Sequence, residues 1–175
     1  MIIDSSQIMI IWKDREGRFV LVNKAFTEKT GLSKEYIEGK TIFELFPAYA
    51  DKYWADDLEV MADNRRKLDT LEHVETDKGL VWLRTDKIPY VDQGGNVIGV
   101  VSFSLDVTKL REAEEKLKES EERYRVLFNG SYDALMTLDP VSFKFTSGNA
   151  AAIRLFGLRD EAEFISLCPC DISPE

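Results

Sequence analysis

The polar residues whose spacing points to chemistry sit inside apolar, strand-like runs: Thr85 and Lys87 in one, Ser102 and Ser104 in another. Successive strand residues face opposite ways. Alternation therefore groups Leu83, Thr85 and Lys87 with Val100, Ser102 and Ser104. Arg84, Asp86 and Ile88 then fall with Val101, Phe103 and Leu105. Periodicity alone leaves open which set faces a core. If it is the first, an ammonium is buried among hydroxyls and must find a counter-charge.

Bond-making chemistry has little support. There is no Gly-rich phosphate loop, nucleophile elbow or Ser/His/Asp set, so catalysis within this chain is not expected. His73 is the sole histidine and lies on a strand in phase with Leu71, which speaks against an axial haem ligand. Cys168-Pro169-Cys170 lacks the further Cys or His of a structural zinc site, so no metal is expected. A disulfide between these two cysteines would be strained and would staple nothing.

The elements that carry these residues follow from turn and cap signals. Ile8 to Lys13 and Phe19 to Val22, separated by Asp14-Arg15-Glu16-Gly17, read as a hairpin. Asn23 caps a short helix that stops at Gly31, Ser33 caps another that stops at Gly39, and a third turn of helix over Thr41 to Phe46 is closed by Pro47. From Ala48 to about Asn64, the residues Trp54, Leu58 and Met61 share a helical face expected to meet the core, with Asp51, Asp56, Asp57 and Glu59 mostly elsewhere. Leu68 to Thr76, Leu80 to Tyr90 and Asn96 to Leu105 complete the strands, with turns at Asp77-Lys78-Gly79 and Asp92-Gln93-Gly94-Gly95. The expected fold is α+β, one antiparallel sheet with helices on one face, over residues 5–108.

The last strand passes through Asp106-Val107-Thr108 into a charged helix without a Pro/Gly linker, and either Asp106 or Thr108 can cap it. Strand and helix are therefore expected to move as a unit. Over 109–128, Leu110, Ala113, Leu117, Ser120, Tyr124 and Leu127 form one stripe at coiled-coil spacing. Glu112/Lys116, Glu114/Lys118, Glu119/Arg123 and Glu121/Arg125 add about 0.2–0.5 kcal/mol per pair. The stripe is short and interrupted by small residues, so a solvated single helix is the other reading.

Residues 129–175 repeat the opening of the chain. Asp133 to Pro140 and Phe143 to Thr146 read as strand, turn, strand, and Asn149 to Gly157 repeats the spacing of Asn23 to Gly31. The counterparts of the long helix and last three strands are missing, so the chain is expected to be an excerpt, with its last ~45 residues less stable than the rest.

Composition bounds the partners. With a net charge of −9 over 175 residues, neither nucleic acid nor an anionic membrane surface is an expected partner. No apolar run approaches membrane-spanning length, the N-terminus does not read as a signal peptide, and a cytoplasmic location is expected.

Trp12 to Phe26, Thr30-Gly31-Leu32-Ser33 and Tyr36-Ile37-Glu38-Gly39-Lys40 resemble the opening of a PAS sensory domain. Trp82, Lys87-Ile88-Pro89 and Gly95-Asn96-Val97-Ile98-Gly99 resemble its closing strands, and Asp106-Val107-Thr108 resembles its exit motif. Gly148-Asn149 and Leu155-Phe156-Gly157 resemble the first half of a second copy. The resemblance implies a five-stranded sheet and tandem sensors joined by a signalling helix, upstream of a histidine kinase, a diguanylate cyclase or a transcriptional regulator in the same parent chain.

By analogy with flavin-binding relatives, the Thr85/Lys87 set points inward, joined by Ile11, Lys13, Glu72 and Val74. With Phe26, Trp54 and Leu58 from the helices, the implied ligand-binding set is Ile11, Lys13, Phe26, Trp54, Leu58, Glu72, Val74, Leu83, Thr85, Lys87, Val100, Ser102 and Ser104. Lys13 and Lys87 together suit a small organic anion. The alternatives are an ion pair with Glu72, or lysines at a wet rim. Neither haem nor flavin is expected: the flavin photosensors place a cysteine where this chain has Thr41-Ile42-Phe43-Glu44.

Ile10, Trp12, Val101, Phe103 and Leu105 then share the outer face, an apolar patch suited to a homodimer interface. Asp106, Thr108, Leu110 and Leu117 would transmit the signal. A ligand-responsive relay is the first reading and a ligand-free dimerisation scaffold the second.

Overall fold

The hairpin opens the chain because the Asp14 carboxylate closes its turn, accepting from the backbone N–H of Glu16 at 3.0 Å and of Arg18 at 2.8 Å. In the computed structural model, residues 2–76 and 79–172 are described, and Asp77 and Lys78 of one expected turn lie outside them. Strands β1 (Met9–Asp14) and β2 (Phe19–Val22) lead into three short helices, α1 (Lys24–Thr30), α2 (Lys34–Ile37) and α3 (Ile42–Leu45). Asn23, Ser33 and Thr41 cap them, each side chain accepting from a backbone N–H in the first turn. Thr41 and Glu44 form a reciprocal capping box. Pro47 ends nothing by itself: it is the first residue of α4 (Pro47–Asp63), where its missing N–H costs no helical bond.

Strands β3 (Lys67–Thr76), β4 (Gly79–Val91) and β5 (Val97–Asp106) complete a five-stranded antiparallel sheet in the order β2-β1-β5-β4-β3. The inner face forms cross-strand rows. Met9 lies opposite Ser104, which lies opposite Thr85; Ile11 lies opposite Ser102, which lies opposite Lys87. At Gly99 a Cβ would come within 2.2 Å of the Lys13 carbonyl oxygen, so a side chain there would force β1 and β5 apart.

Helices α1 to α4 cover that inner face. Phe19, Phe26 and Phe46 pack against one another with ring centroids 6.0 to 6.5 Å apart. The α4 face differs from expectation: Ala50, Asp57 and Val60 are the buried residues, while Leu58 is 45% exposed. Trp54 packs on Gly17, whose positive φ and missing Cβ admit the indole. Helical spacing allowed either face, and a partner for a buried acid decided it.

The chain forms two compact units, 1–111 and 112–175. Helix α5 (Thr108–Gly130) begins in the first and continues into the second. Leu110, Leu117, Tyr124 and Leu127 are all more than half exposed. Among the described residues, ion pairs four apart form at Lys24/Glu28, Lys34/Glu38 and Arg159/Glu163 and not at the four expected Glu to Lys/Arg pairs along α5, since exposed ion pairs gain little over water and cost side-chain freedom.

The second unit contains β6 (Met136–Leu138), β7 (Phe145–Gly148), α6 (Ala150–Leu155), α7 (Glu161–Ile165) and α8 (Pro169–Ile172), with a small core of Phe145, Ala152 and Phe164. Asn149 caps α6 as Asn23 caps α1. Cys168 and Cys170 are joined by a disulfide, contrary to the sequence expectation, the first turn of α8 bringing their Cα atoms to 5.3 Å. With Asp171 they form a tight group, but both sulfurs are committed to each other. Among the described residues, no helix is long and apolar enough to cross a membrane.

Candidate functional site

Between the inner face of the sheet and helices α1, α3 and α4 lies a cavity of about 330 Å³. Phe19, Phe26, Ile42 and Phe46 line it from the helical side and β2. The sheet contributes Met9, Ile11, Lys13, Glu72, Val74, Val81, Leu83, Thr85, Lys87, Ser102 and Ser104. Ten of the residues named from sequence therefore surround one space: Ile11, Lys13, Phe26, Glu72, Val74, Leu83, Thr85, Lys87, Ser102 and Ser104. Three do not. Val100 is buried in the sheet, Trp54 is turned onto Gly17, and Leu58 faces solvent.

The polar chemistry of the cavity centres on a residue the sequence reading assigned elsewhere. Asp57 of α4 is fully buried and takes one lysine on each carboxylate oxygen. Lys13 Nζ donates to Oδ2, and Lys87 Nζ lies 2.8 Å from Oδ1. Lys87 also donates to the Tyr53 carbonyl oxygen at 3.2 Å and lies 3.8 Å from an Asp56 oxygen. The counter-charge of the lysines is thus Asp57, not Glu72, and neither lysine sits at a wet rim. The signal was present: Asp57 lies seven residues after Ala50 and three before Val60, on the helical row that two inward lysines require.

Burial pushes the Lys13 ammonium below its usual range, and the neighbouring Lys87 charge adds to this, against the pull of Asp57 and Glu72. Burial likewise pushes the Tyr53 hydroxyl up. Thr85 and Ser104 share a hydrogen bond of 2.9 Å across β4 and β5.

Two buried carboxylate oxygens of the site make no hydrogen bond among the described residues: Asp57 Oδ1, which has Lys87 Nζ as an ion-pair partner at 2.8 Å, and Glu72 Oε2. Glu72 is 3% exposed, and its Oε2 has no hydrogen-bond partner. Lys52, a largely exposed side chain, comes only to 3.9 Å of that oxygen, too far for a hydrogen bond. A carboxylate oxygen kept dry without a donor costs free energy until a donor arrives.

The cavity wall runs directly into the start of α5. Thr108 Oγ1 accepts from the Trp82 backbone N–H at 2.9 Å and donates to Asp106 Oδ1 at 2.6 Å. The Val107 N–H donates to the Trp82 carbonyl at 2.9 Å, Lys29 of α1 reaches Asp106 at 2.5 Å, and Arg111 stacks over the Trp82 ring at 4.2 Å. The first turn of α5 is therefore bonded to β4 as well as continuous with β5. Replacing Thr108 with valine removes the acceptor for the Trp82 N–H at a local cost of about 1–2 kcal/mol. Hydrogen exchange at the Trp82 and Val107 amides should accelerate accordingly, and unchanged exchange would show that the junction does not depend on this contact.

On the outer face, Ile10, Trp12, Val101, Phe103 and Leu105 are each half-buried. Trp12 packs on Tyr90 with ring centroids 4.8 Å apart.

A family model described as PAS fold matches residues 3–112, and a second, described as PAS domain, matches 122–174. Virulence sensor protein BvgS of Bordetella pertussis is 29% identical over 130 residues. The match covers 70% of this chain but only 10% of that relative. The solved PAS domain of the same protein aligns with TM-score 0.54 and 29% identity, over 70% of this chain and 93% of the domain. VqmA bound to DPO aligns with TM-score 0.55 and 25% identity, over 59% of this chain and 54% of that one.

Proposed function

Because this chain belongs to the PAS family, we propose that its first unit is a small-molecule sensor and that α5 carries the bound state toward an output domain. The observation that carries this reading is the cavity of about 330 Å³ with Glu72 Oε2, a buried carboxylate oxygen without a hydrogen-bond donor, in its wall. Its aromatic and aliphatic lining suits a flat, mostly apolar molecule. Glu72 requires that molecule to bring an N–H or O–H donor, and Thr85, Ser102 and Ser104 offer partners for a second polar group.

An organic anion was the expectation drawn from two lysines. With Asp57 bridging them, the charge left without a hydrogen bond in the cavity is negative, which favours a neutral molecule with both a donor and an acceptor. That VqmA is bound to DPO supports a bound ligand in a chain of this fold.

A ligand bonded across Thr85, Ser104 and Glu72 would change the spacing of β3, β4 and β5. Through the bonds that join Trp82, Asp106 and Thr108, this change alters the angle at which α5 leaves the sheet. The half-buried outer face of β1 and β5 and the exposed Leu110/Leu117 stripe suit a homodimer, in which such a change becomes a movement between two α5 helices. The likeness to virulence sensor protein BvgS favours a sensor as the parent protein, and a histidine kinase is the output domain we assign to it. A ligand-free scaffold has no corresponding use for a dry carboxylate oxygen that no donor reaches.

A thermal-shift screen of neutral donor–acceptor heterocycles tests the ligand. A molecule that binds only the native state must raise the melting temperature, by about 2.7 kcal/mol of stability at a hundredfold excess over Kd. The shift should disappear in Glu72→Ala. A full shift in that variant, or none in the wild type with any such compound, would refute the assignment.

A further inference from the structure

Lys13 and Lys87 share the two oxygens of one buried carboxylate beside an apolar cavity. We propose that Lys13 is a carbonyl-capturing nucleophile, so that an aldehyde or ketone entering the cavity is held as a reversible imine on its Nζ. This rests on the reading of the cavity as the ligand site and names the reactive class of its ligand.

The two lysines are not equivalent. Lys87 Nζ is surrounded by oxygens of Asp57, Tyr53 and Asp56, so its lone-pair position is enclosed by partners. Lys13 has Asp57 as its one hydrogen-bonding partner among the described residues, with the Phe19 ring 5.7 Å from its Nζ on another side. A lysine desolvated against apolar surface and next to a second cation is the type that gives up its proton and acts as an amine. The shift of Lys13 below the usual lysine range runs the same way.

The step closes with the groups present. Lys13 passes one proton to Asp57, and the free amine forms a C–N bond to the carbonyl carbon as the C=O π pair moves to oxygen. That oxygen takes a proton from the newly bonded nitrogen, giving a neutral carbinolamine and leaving Asp57 protonated. Lys87 stands by as a fixed positive charge for the developing oxyanion. The nitrogen lone pair then expels the hydroxyl, protonated through Asp57, as water. The sum is ammonium plus carbonyl giving iminium plus water, with no net change in charge. The iminium thus replaces the Lys13 ammonium against Asp57, and the group carried by the carbonyl lies among Phe19, Phe26 and Phe46.

The test uses the whole chain with benzaldehyde and sodium cyanoborohydride near neutral pH, read by intact mass and peptide mapping. Benzyl alcohol, which cannot form an imine, is the control ligand, and melting temperatures are recorded with both. Burial raises the free-amine fraction of Lys13, and the cavity holds the aldehyde beside it, so Lys13 should carry the benzyl group faster than exposed Lys24 or Lys52. The adduct should vanish in Lys13→Arg, which keeps the charge on Asp57. Lys13→Met serves if the longer side chain does not fit. Labelling of Lys87, or of exposed lysines alone, overturns the proposal. A rise in melting temperature with benzyl alcohol and no Lys13 adduct with benzaldehyde overturns the imine and leaves the small-molecule cavity standing. No adduct and no thermal response to either compound or to the heterocycle screen overturns both.

Discussion

Asp57→Ala is expected to cost about 3–5 kcal/mol of stability, most of what a domain of this size possesses. Asp57 is fully buried and takes a lysine on each oxygen, so its removal leaves two ammonium groups facing each other in an apolar cavity. Lys87 retains the Tyr53 carbonyl and the more distant Asp56 oxygen. Lys13 retains no hydrogen-bonding partner among the described residues. Urea denaturation of the variant and wild type measures the loss. A triple variant in which Lys13 and Lys87 become methionine and Asp57 becomes leucine should recover much of it, because exchanging a whole buried ionic cluster for apolar groups is often neutral or stabilising. An Asp57→Ala cost below about 1 kcal/mol would place the lysines in contact with water and end the account of the cavity given above.

Asn23→Ala is expected to cost about 2–4 kcal/mol by a different route. The Asn23 side chain is buried and fully used. Its Oδ1 accepts from the N–H of Ile10 at 2.9 Å and of Phe26 at 3.3 Å, and its Nδ2 donates to the carbonyls of Ile3 at 3.0 Å and Ile8 at 2.8 Å. One side chain thus caps α1 and ties it to the start of β1. Alanine leaves these backbone groups without their partner, and water can reach only those near the surface. Asn23→Asp keeps both acceptor contacts but sets a buried carboxylate oxygen against the Ile3 and Ile8 carbonyls, so its cost should be no smaller than that of alanine. Equal stability of all three forms, measured by denaturant midpoint, would contradict this role. In the second unit, Asn149 accepts from Leu135 and Ala152 and donates to Phe128 and Asp133. The repeated Asn-to-Gly spacing therefore marks the same device built twice.

Much of the scaffold could be read in advance because its signals are local. The caps at Asn23, Ser33 and Thr41, the Asp14 turn and the alternation along β4 and β5 each involve residues a few positions apart, whose geometry depends little on the rest of the fold. The inward phase of the sheet needed the family resemblance. Once it was set, the nine strand residues of the site followed, since strand alternation propagates along a row. Trp54, Leu58 and Val100 were misplaced for a shared reason: membership of an apolar face does not specify whether a side chain lines a void, fills a packing gap or reaches water. Trp54 went to Gly17, a choice made by a missing Cβ 37 positions away.

Sequence alone determined the order of elements, the capped short helices, the strand that continues into α5 and the repetition of the opening motif after it, because these rest on backbone preferences and side-chain periods within one segment. Tertiary structure decided that Asp57 rather than Glu72 neutralises the lysines, that Glu72 is left without a donor, and that Thr108 bonds to Trp82. Each of these is a contact between segments far apart in the chain, where burial removes water and makes the choice of partner an energetic necessity that no local pattern records.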